Sequence, residues 1–279
     1  MNVGLLYPGE MGVSVGAAVM SGGHKVFWPT EGRSSATRQR AERAGLRVLD
    51  QLVDVSRQVE VILSVCPPHA SESLLAEVIE AGFPGIFVDA NAISPQRSLR
   101  MSETASFAGM DYVDGTIVGR PAWKAGTTTL YLCGERAAEV AELFSGAPLG
   151  TMLLDGPIGK ASALKMCFAA YSKGSTALIA AILAAARSLD VYPELRKLWS
   201  YDGSEFAEQA EQRSRRVTQK AWRFAGEMEE IADTFSDLGL PDGFHQASEE
   251  IYTRLRHFKG SDDLPDLSAL LKAILTADE

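Results

Sequence analysis

The sequence predicts a doubly wound α/β domain with a mostly parallel sheet, followed by an all-α C-terminal domain, and three observations lead there. An apolar strand near the start runs into a glycine turn and then an amphipathic helix. Strand-like and helix-like segments go on alternating to about residue 155, as a sheet built through crossover helices requires. After Gly156 the strand pattern stops, and apolar residues recur at three-to-four spacing. The domains are therefore expected at 1–155 and 156–279.

Val3 to Leu6 reads as the first strand, followed by the turn Tyr7-Pro8-Gly9-Glu10-Met11-Gly12 and a helix to about Met20. Gly22-Gly23 ends that helix, and His24 to Trp28 is the second strand. A helix over Ala36 to Ala44 and a strand over Leu46 to Leu49 follow. Val59 to Val65 is a largely apolar strand stopped by Pro67-Pro68, with a helix from Ser71 to Ala81. Gly85 to Val88 is the next strand; Tyr112-Val113, Thr128 to Cys133 and a helix over Arg136 to Phe144 complete the domain. Ser162 to about Leu189 is apolar on nearly every face and rich in alanine, so it should be buried all round. Val217 to Phe235 and Phe244 to Phe258 are helical by period, with Gly239 and Pro241 between them, and Leu267 to Leu275 is the last helix.

The net charge of −9 argues against nucleic acid or an anionic membrane as partner. The longest apolar run, Ala177 to Ala186, is short of the roughly 20 residues a membrane span needs. Cys66, Cys133 and Cys167 are far apart, as in a cytoplasmic protein with reduced thiols, and four scattered histidines are too few for a metal site. The all-round apolar helix also predicts a homodimer, since a helical domain of this length cannot cover it alone.

A glycine turn between an N-terminal strand and a helix is the setting in which backbone amides meet a dinucleotide pyrophosphate. The G-x-G-x-x-G spacing falls on Tyr7, Gly9 and Gly12, so the first glycine is replaced and Pro8 is expected to fix the turn by another route. Gly9, Glu10, Met11 and Gly12 are the expected pyrophosphate contacts. At the end of the second strand, Glu31 favours NAD through the ribose hydroxyls. Arg33 followed by Ser34 and Ser35 favours NADP through a 2′-phosphate, and the balance lies with NADP. Val65, Cys66 and Pro67, ending one strand, and Asn91, ending the next, are expected beside the nicotinamide end. An Asn after a strand is also a common turn former. Cys66 reads as lining, since no histidine is placed to activate it.

Lys165 is the one charged residue between Lys160 and Lys173, on the alanine-rich helix. A lysine whose pKa is lowered by burial would serve as acid/base in hydride transfer. A lysine whose stem lies on apolar surface while its amine reaches water fits the same pattern, and periodicity alone leaves the two equal.

The order of the glycine turn, Asp114-Gly115-Thr116-Ile117-Val118-Gly119 and then Gly159-x-Ala161-x-x-x-Lys165 resembles the β-hydroxyacid dehydrogenase superfamily. That superfamily includes 3-hydroxyisobutyrate and 6-phosphogluconate dehydrogenases and, more distantly, imine reductases. Ala161 to Met166, Lys173-Gly174 and Leu240 to His245 are similar to a branch labelled phosphogluconate-dehydrogenase-like, with a helical C-terminal domain of unknown function. The resemblance implies an N-terminal Rossmann domain, a helical substrate and dimerisation domain, a cleft between them, and Lys165 as the acid/base acting on a small-molecule substrate. It implies substrate contacts at Ile117, Val118, Gly119, Arg120 and Phe168.

Two departures stand out. Where the superfamily's loop reads D-x-P-V-S-G-G, this chain has Val118 for the serine and Arg120 for the second glycine. Where asparagines follow the lysine by three or four residues, it has Phe168 and Ala169. The pocket should be more apolar, with Arg120 either replacing the lost carboxylate contact or solvated. Ser162 and Ser172 fall near the lysine's face, as orienting groups or as helix serines bonded to backbone. Trp123 and Tyr171 read as pocket walls or core, and His245 as a surface histidine in preference to one that reaches the cleft. The expectation is an NADP-dependent oxidoreductase of a hydroxy acid or related alcohol, with imine reduction and a non-catalytic NADP-binding dimer as alternatives.

Overall fold

In the computed structural model, which describes residues 1–261 and 263–276, the alternation of strand and helix builds one eight-stranded sheet. Its strands are β1 (Asn2–Leu6), β2 (Lys25–Pro29), β3 (Arg47–Leu49), β4 (Val61–Ser64), β5 (Ile86–Asp89), β6 (Asp111–Gly119), β7 (Thr128–Cys133) and β8 (Gly150–Leu153). They lie in the order β3-β2-β1-β4-β5-β6-β7-β8, and every neighbouring pair is parallel except the β6–β7 hairpin. The order turns back between β1 and β4, the switch point at whose C-terminal strand ends sheets of this kind bind ligands.

Side-chain alternation along the strands makes two cores. Val3 and Leu5 of β1, Val61 and Leu63 of β4, and Ile86 and Val88 of β5 face one way, against α1 (Glu10–Ser21), α2 (Ser35–Arg43) and α6 (Ala137–Glu142). Leu6, Ile62 and Phe87 face the other way, against α3 (Leu52–Ser56), α4 (Ser71–Glu80) and α5 (Pro95–Phe107). Each fully buried Leu, Ile or Val contributes roughly 1.5–3 kcal/mol of transfer free energy. The sequence pattern missed α3, α5 and β8. In α5 only Ser98, Met101 and Ala105 are buried, a stripe too narrow and polar to read, although Ser94 as N-cap and Pro95 behind it mark its start. All four residues of β8 are exposed, so it carries no apolar alternation.

The chain divides into two compact units, Met1–Met166 and Cys167–Glu279, the change falling inside α7 (Lys160–Ala169), beyond the shift in character at Gly156. The second unit continues through a π turn (Ala170–Gly174) into α8 (Ser175–Ser188), then α9 (Tyr192–Trp199), α10 (Phe206–Val217), α11 (Ala221–Asp237), α12 (Gly243–Arg254) and α13 (Leu267–Leu275). From Lys160 to Ser188 the helix is continuous for 29 residues, long and apolar enough to cross a membrane by length and composition, with 44% of its most apolar window buried within the protein. The expectation of no such segment counted only the uninterrupted run from Ala177; this helix also takes in isolated lysines and serines. Nor is it covered all round: Leu164, Phe168, Leu178 and Ile182 are exposed.

A π turn leaves carbonyls out of the helical ladder, and side chains take them up here. Arg213 Nη2 donates to the Ser172 carbonyl and to Ser175 Oγ, both at 2.7 Å, and Tyr252 Oη donates to the Lys173 carbonyl at 2.8 Å. Lys173 Nζ pairs with Glu227 Oε2 at 2.6 Å, with the two side chains only 12% and 10% exposed, and lies 5.0 Å from the Phe224 ring centre. His245 is 5% exposed, edge-on to Phe235 and Phe244, with its Nδ1 unpartnered. That corrects its reading as a surface histidine. Burial lowers its pKa, with Asp242 pulling weakly the other way.

Candidate functional site

The turn after β1 is built without its first glycine. Tyr7 takes the left-handed backbone conformation a glycine would, at φ +64°, at a cost of about 1–2 kcal/mol for a residue with a side chain. Gly9 N–H donates to the Tyr7 carbonyl at 2.7 Å across Pro8, a γ-turn that proline's fixed φ suits. Gly12 is obligatory: a Cβ there would sit 2.4 Å from the Tyr7 carbonyl oxygen. α1 starts at Glu10 with Gly9 as its N-cap and no side-chain cap, so the amides of Glu10, Met11 and Gly12 stand outside the intrahelical ladder at the positive helix end.

Three arginines gather around this turn. The Arg33 guanidinium carbon lies 3.7 Å from the Tyr7 ring centre, and its Nε is buried without a hydrogen-bond partner. Arg38 donates to the carbonyls of Arg33 and Thr30, and Arg40 donates to that of Pro8 at 3.3 Å. Ser34 is exposed, and its Oγ caps α2 by accepting from Thr37 N–H at 3.3 Å. Beside Arg33 opens a cavity of about 220 Å³ with an apolar lining of Leu6, Pro29, Leu52 and Leu74, and with Glu31 and Glu77 as its acids. Leu52, Leu74 and Glu77 begin or line helices, and nothing in their spacing marks them in the sequence.

At the next strand tips, Val65 packs near Gly12, and Cys66 and Pro67 follow half-buried. Asn91 is buried with its amide in use: Oδ1 accepts from Cys66 N–H at 2.6 Å, and Nδ2 donates to Ser64 Oγ and Asp89 Oδ2, both at 2.9 Å. It therefore ties β4 to β5, and both of its side-chain N–H donors are taken up within the protein. Burial, reinforced by Asp89, pushes the Cys66 thiol up to about 12, so it stays protonated and unreactive.

On β6, Asp114 caps α7 from 45 to 48 residues away. Its Oδ2 accepts from the amides of Gly159, Ala161 and Ser162, and its Oδ1 accepts from Ser162 Oγ at 2.7 Å. Ser162 thus serves the cap rather than the lysine. Cys133 Sγ also donates to Asp114, and burial with that carboxylate raises the thiol to about 11. Lys165 Nζ donates to the Ile117 carbonyl at 2.7 Å, so the amine lies at the far end of the same strand. Gly119 follows at φ +135°, where a Cβ would strike the Thr127 carbonyl. Ile117 is buried, Val118 half-buried and Arg120 exposed. The loop beyond is tied to α1, Ala122 N–H donating to Ser14 Oγ at 2.9 Å. Trp123 and Tyr171, read as pocket wall or core, are 59% and 74% exposed, and Phe168, one turn past Lys165, is 47% exposed.

Residues 2–145 match the family described as the NAD binding domain of 6-phosphogluconate dehydrogenase, and residues 186–255 match a domain of unknown function, DUF1932. An uncharacterized 28.5 kDa protein of Methanothermus fervidus is 24% identical over 171 residues, 60% of this chain; the match spans 64% of that protein's length. Among solved structures, a conserved protein of unknown function, described as similar to 3-hydroxyacid dehydrogenases, shares 27% identity at a TM-score of 0.68. The likeness covers 92% of this chain and 98% of that one. The Mycobacterium tuberculosis 3-hydroxyisobutyrate dehydrogenase with L-serine is 18% identical over 99% of both chains, at 0.70. An imine reductase of Myxococcus stipitatus with NADP+ is 20% identical over 99% of this chain and all of its own, at 0.57. These last two share the fold.

Proposed function

Since the chain belongs to the family of the NAD-binding domain of 6-phosphogluconate dehydrogenase, within the β-hydroxyacid dehydrogenase superfamily, we propose an NADP-dependent oxidoreductase of a hydroxy acid or related alcohol, with Lys165 as general acid/base. The observation that carries this reading is the Lys165 amine held at the Ile117 carbonyl, on a helix whose start is fixed by Asp114. A nicotinamide cofactor, when bound, supplies the hydride acceptor or donor. The amides of Glu10, Met11 and Gly12 suit its pyrophosphate, the cavity beside Arg33 suits an adenine, and the half-buried Arg33 guanidinium suits a 2′-phosphate. Cys66 and Asn91 shape the strand tips between them. Lys165 takes the proton of the substrate hydroxyl during oxidation and returns it during reduction. Ile117 to Arg120 and Phe168 border the substrate, which is more apolar than a small hydroxy acid because Val118 and Phe168 stand at polar positions of the superfamily. The exposed Leu178, Ile182 and Leu198 of the helical unit suit a second copy of the chain. The three free thiols suit a reducing cytoplasm.

Those two apolar positions also favour a second reading, reduction of a cyclic imine by NADPH. The experiment follows nicotinamide absorbance in both directions, with hydroxy acids and alcohols on one side and ketones and cyclic imines on the other. Light scattering of the same preparation is expected to give a dimer. Lys165→Ala is expected to lower turnover by roughly 10²–10⁴ while leaving the dissociation constant of NADPH within about twofold. Loss of cofactor binding in that variant would make the lysine a cofactor ligand or a structural residue. Activity on imines alone selects the second reading, and silence with NADPH bound means a non-catalytic binding protein.

A further inference from the structure

An aromatic residue is disfavoured in the left-handed conformation that Tyr7 holds. What its ring supports is the Arg33 guanidinium, 3.7 Å from the ring centre. Stacking of this kind engages the flat face of the guanidinium and leaves its N–H edge for an acceptor. Arg38 and Arg40 are committed to backbone carbonyls. Arg33 is the one of the three whose Nε is buried with no acceptor. Glu31 and Glu77 line the same cavity, and an arginine free to swing would be drawn to either acid. Held on Tyr7, Arg33 pairs with neither.

We propose that Tyr7 is a positioning residue for cofactor selectivity: its ring holds Arg33 off the neighbouring acids, with the donor edge open to a phosphomonoester, the 2′-phosphate that separates NADPH from NADH. This role rests on the reading that the chain binds NADP.

The test measures dissociation constants of NADPH and NADH by fluorescence titration without substrate. The proteins are the parent, Tyr7→Gly, Tyr7→Asn, Tyr7→Phe and Arg33→Ala. Gly and Asn both tolerate a positive φ, so the turn is kept while the ring is lost. The parent is expected to prefer NADPH. Tyr7→Gly and Tyr7→Asn should weaken NADPH by roughly tenfold and leave NADH within about twofold, and Tyr7→Phe should keep the parent's preference. An unchanged NADPH-to-NADH ratio in Tyr7→Gly and Tyr7→Asn, beside a lost preference in Arg33→Ala, overturns the role of Tyr7 alone. A parent without preference, or an Arg33→Ala protein that keeps it, overturns the NADP reading and this role with it.

Discussion

At the strand tips of the α/β unit, buried polar side chains bond to backbone amides as well as to one another: Asn91 accepts from the Cys66 amide, and Asp114 accepts from three amides at the start of α7. Around the π turn of the helical unit, order rests on charge: Lys173 against Glu227, and Arg213 on the carbonyl of Ser172. The first arrangement places a surface of amides and carbonyls, and a side chain that differs, such as Tyr7 for glycine, is absorbed by adjusting its neighbours. The second tolerates no half-measures, since a buried charge that loses its partner has no solvent to fall back on.

The sharpest way to break this comparison is Glu227→Leu, which strands Lys173 and is expected to cost about 3–5 kcal/mol in urea unfolding. Adding Lys173→Met should restore most of that loss. A single-variant cost near zero would mean that the helical unit is not organised by charge. Next comes Asp114→Ala, which leaves the amides of Gly159, Ala161 and Ser162 without their acceptor and should cost about 1–3 kcal/mol. It should also lower kcat through Lys165 with the NADPH dissociation constant unchanged; weakened NADPH binding would show that the cap also serves the glycine turn. The smallest effect belongs to His245. Burial lowers its pKa below 6.5, so the unfolded chain takes up the proton first. Its contribution is whole above that pH and is lost as pH falls through it towards the folded value. The melting temperature of the parent should therefore drop more between pH 7 and 5 than that of His245→Phe, and parallel curves would reject the assignment.

What could be read in advance followed the same division. The glycine turn, Arg33 and Lys165 stand out in sequence because a backbone turn needs glycine and because a lone charge is visible in an apolar run. The cap by Asp114 could not be seen, since its partners lie 45 to 48 residues on. His245 has polar neighbours in sequence, Asp242 and Gln246, yet its burial is decided by Phe235 and Phe244. Asn91 was legible as a residue at a strand end; that its amide would be consumed by Ser64, Cys66 and Asp89 depends on strand adjacency.

The π turn also changes what a length change would mean. Removing one residue between Ala170 and Gly174 would convert it to ordinary α-helix, and because a π turn takes up about one residue more than an α turn, the rotation downstream would change little. Ala177, Ala180 and Ala184 are buried, whereas Leu178 and Ile182 on the same helix are exposed. α8 would keep the bed formed by α10 and α13, while the carbonyls that Arg213 and Tyr252 take up would return to the helical ladder. Spacing in this stretch is thus a tolerance: a chain one residue shorter here presents the same face of the downstream helix, whereas a deletion inside α8 itself would turn that face by about 100°.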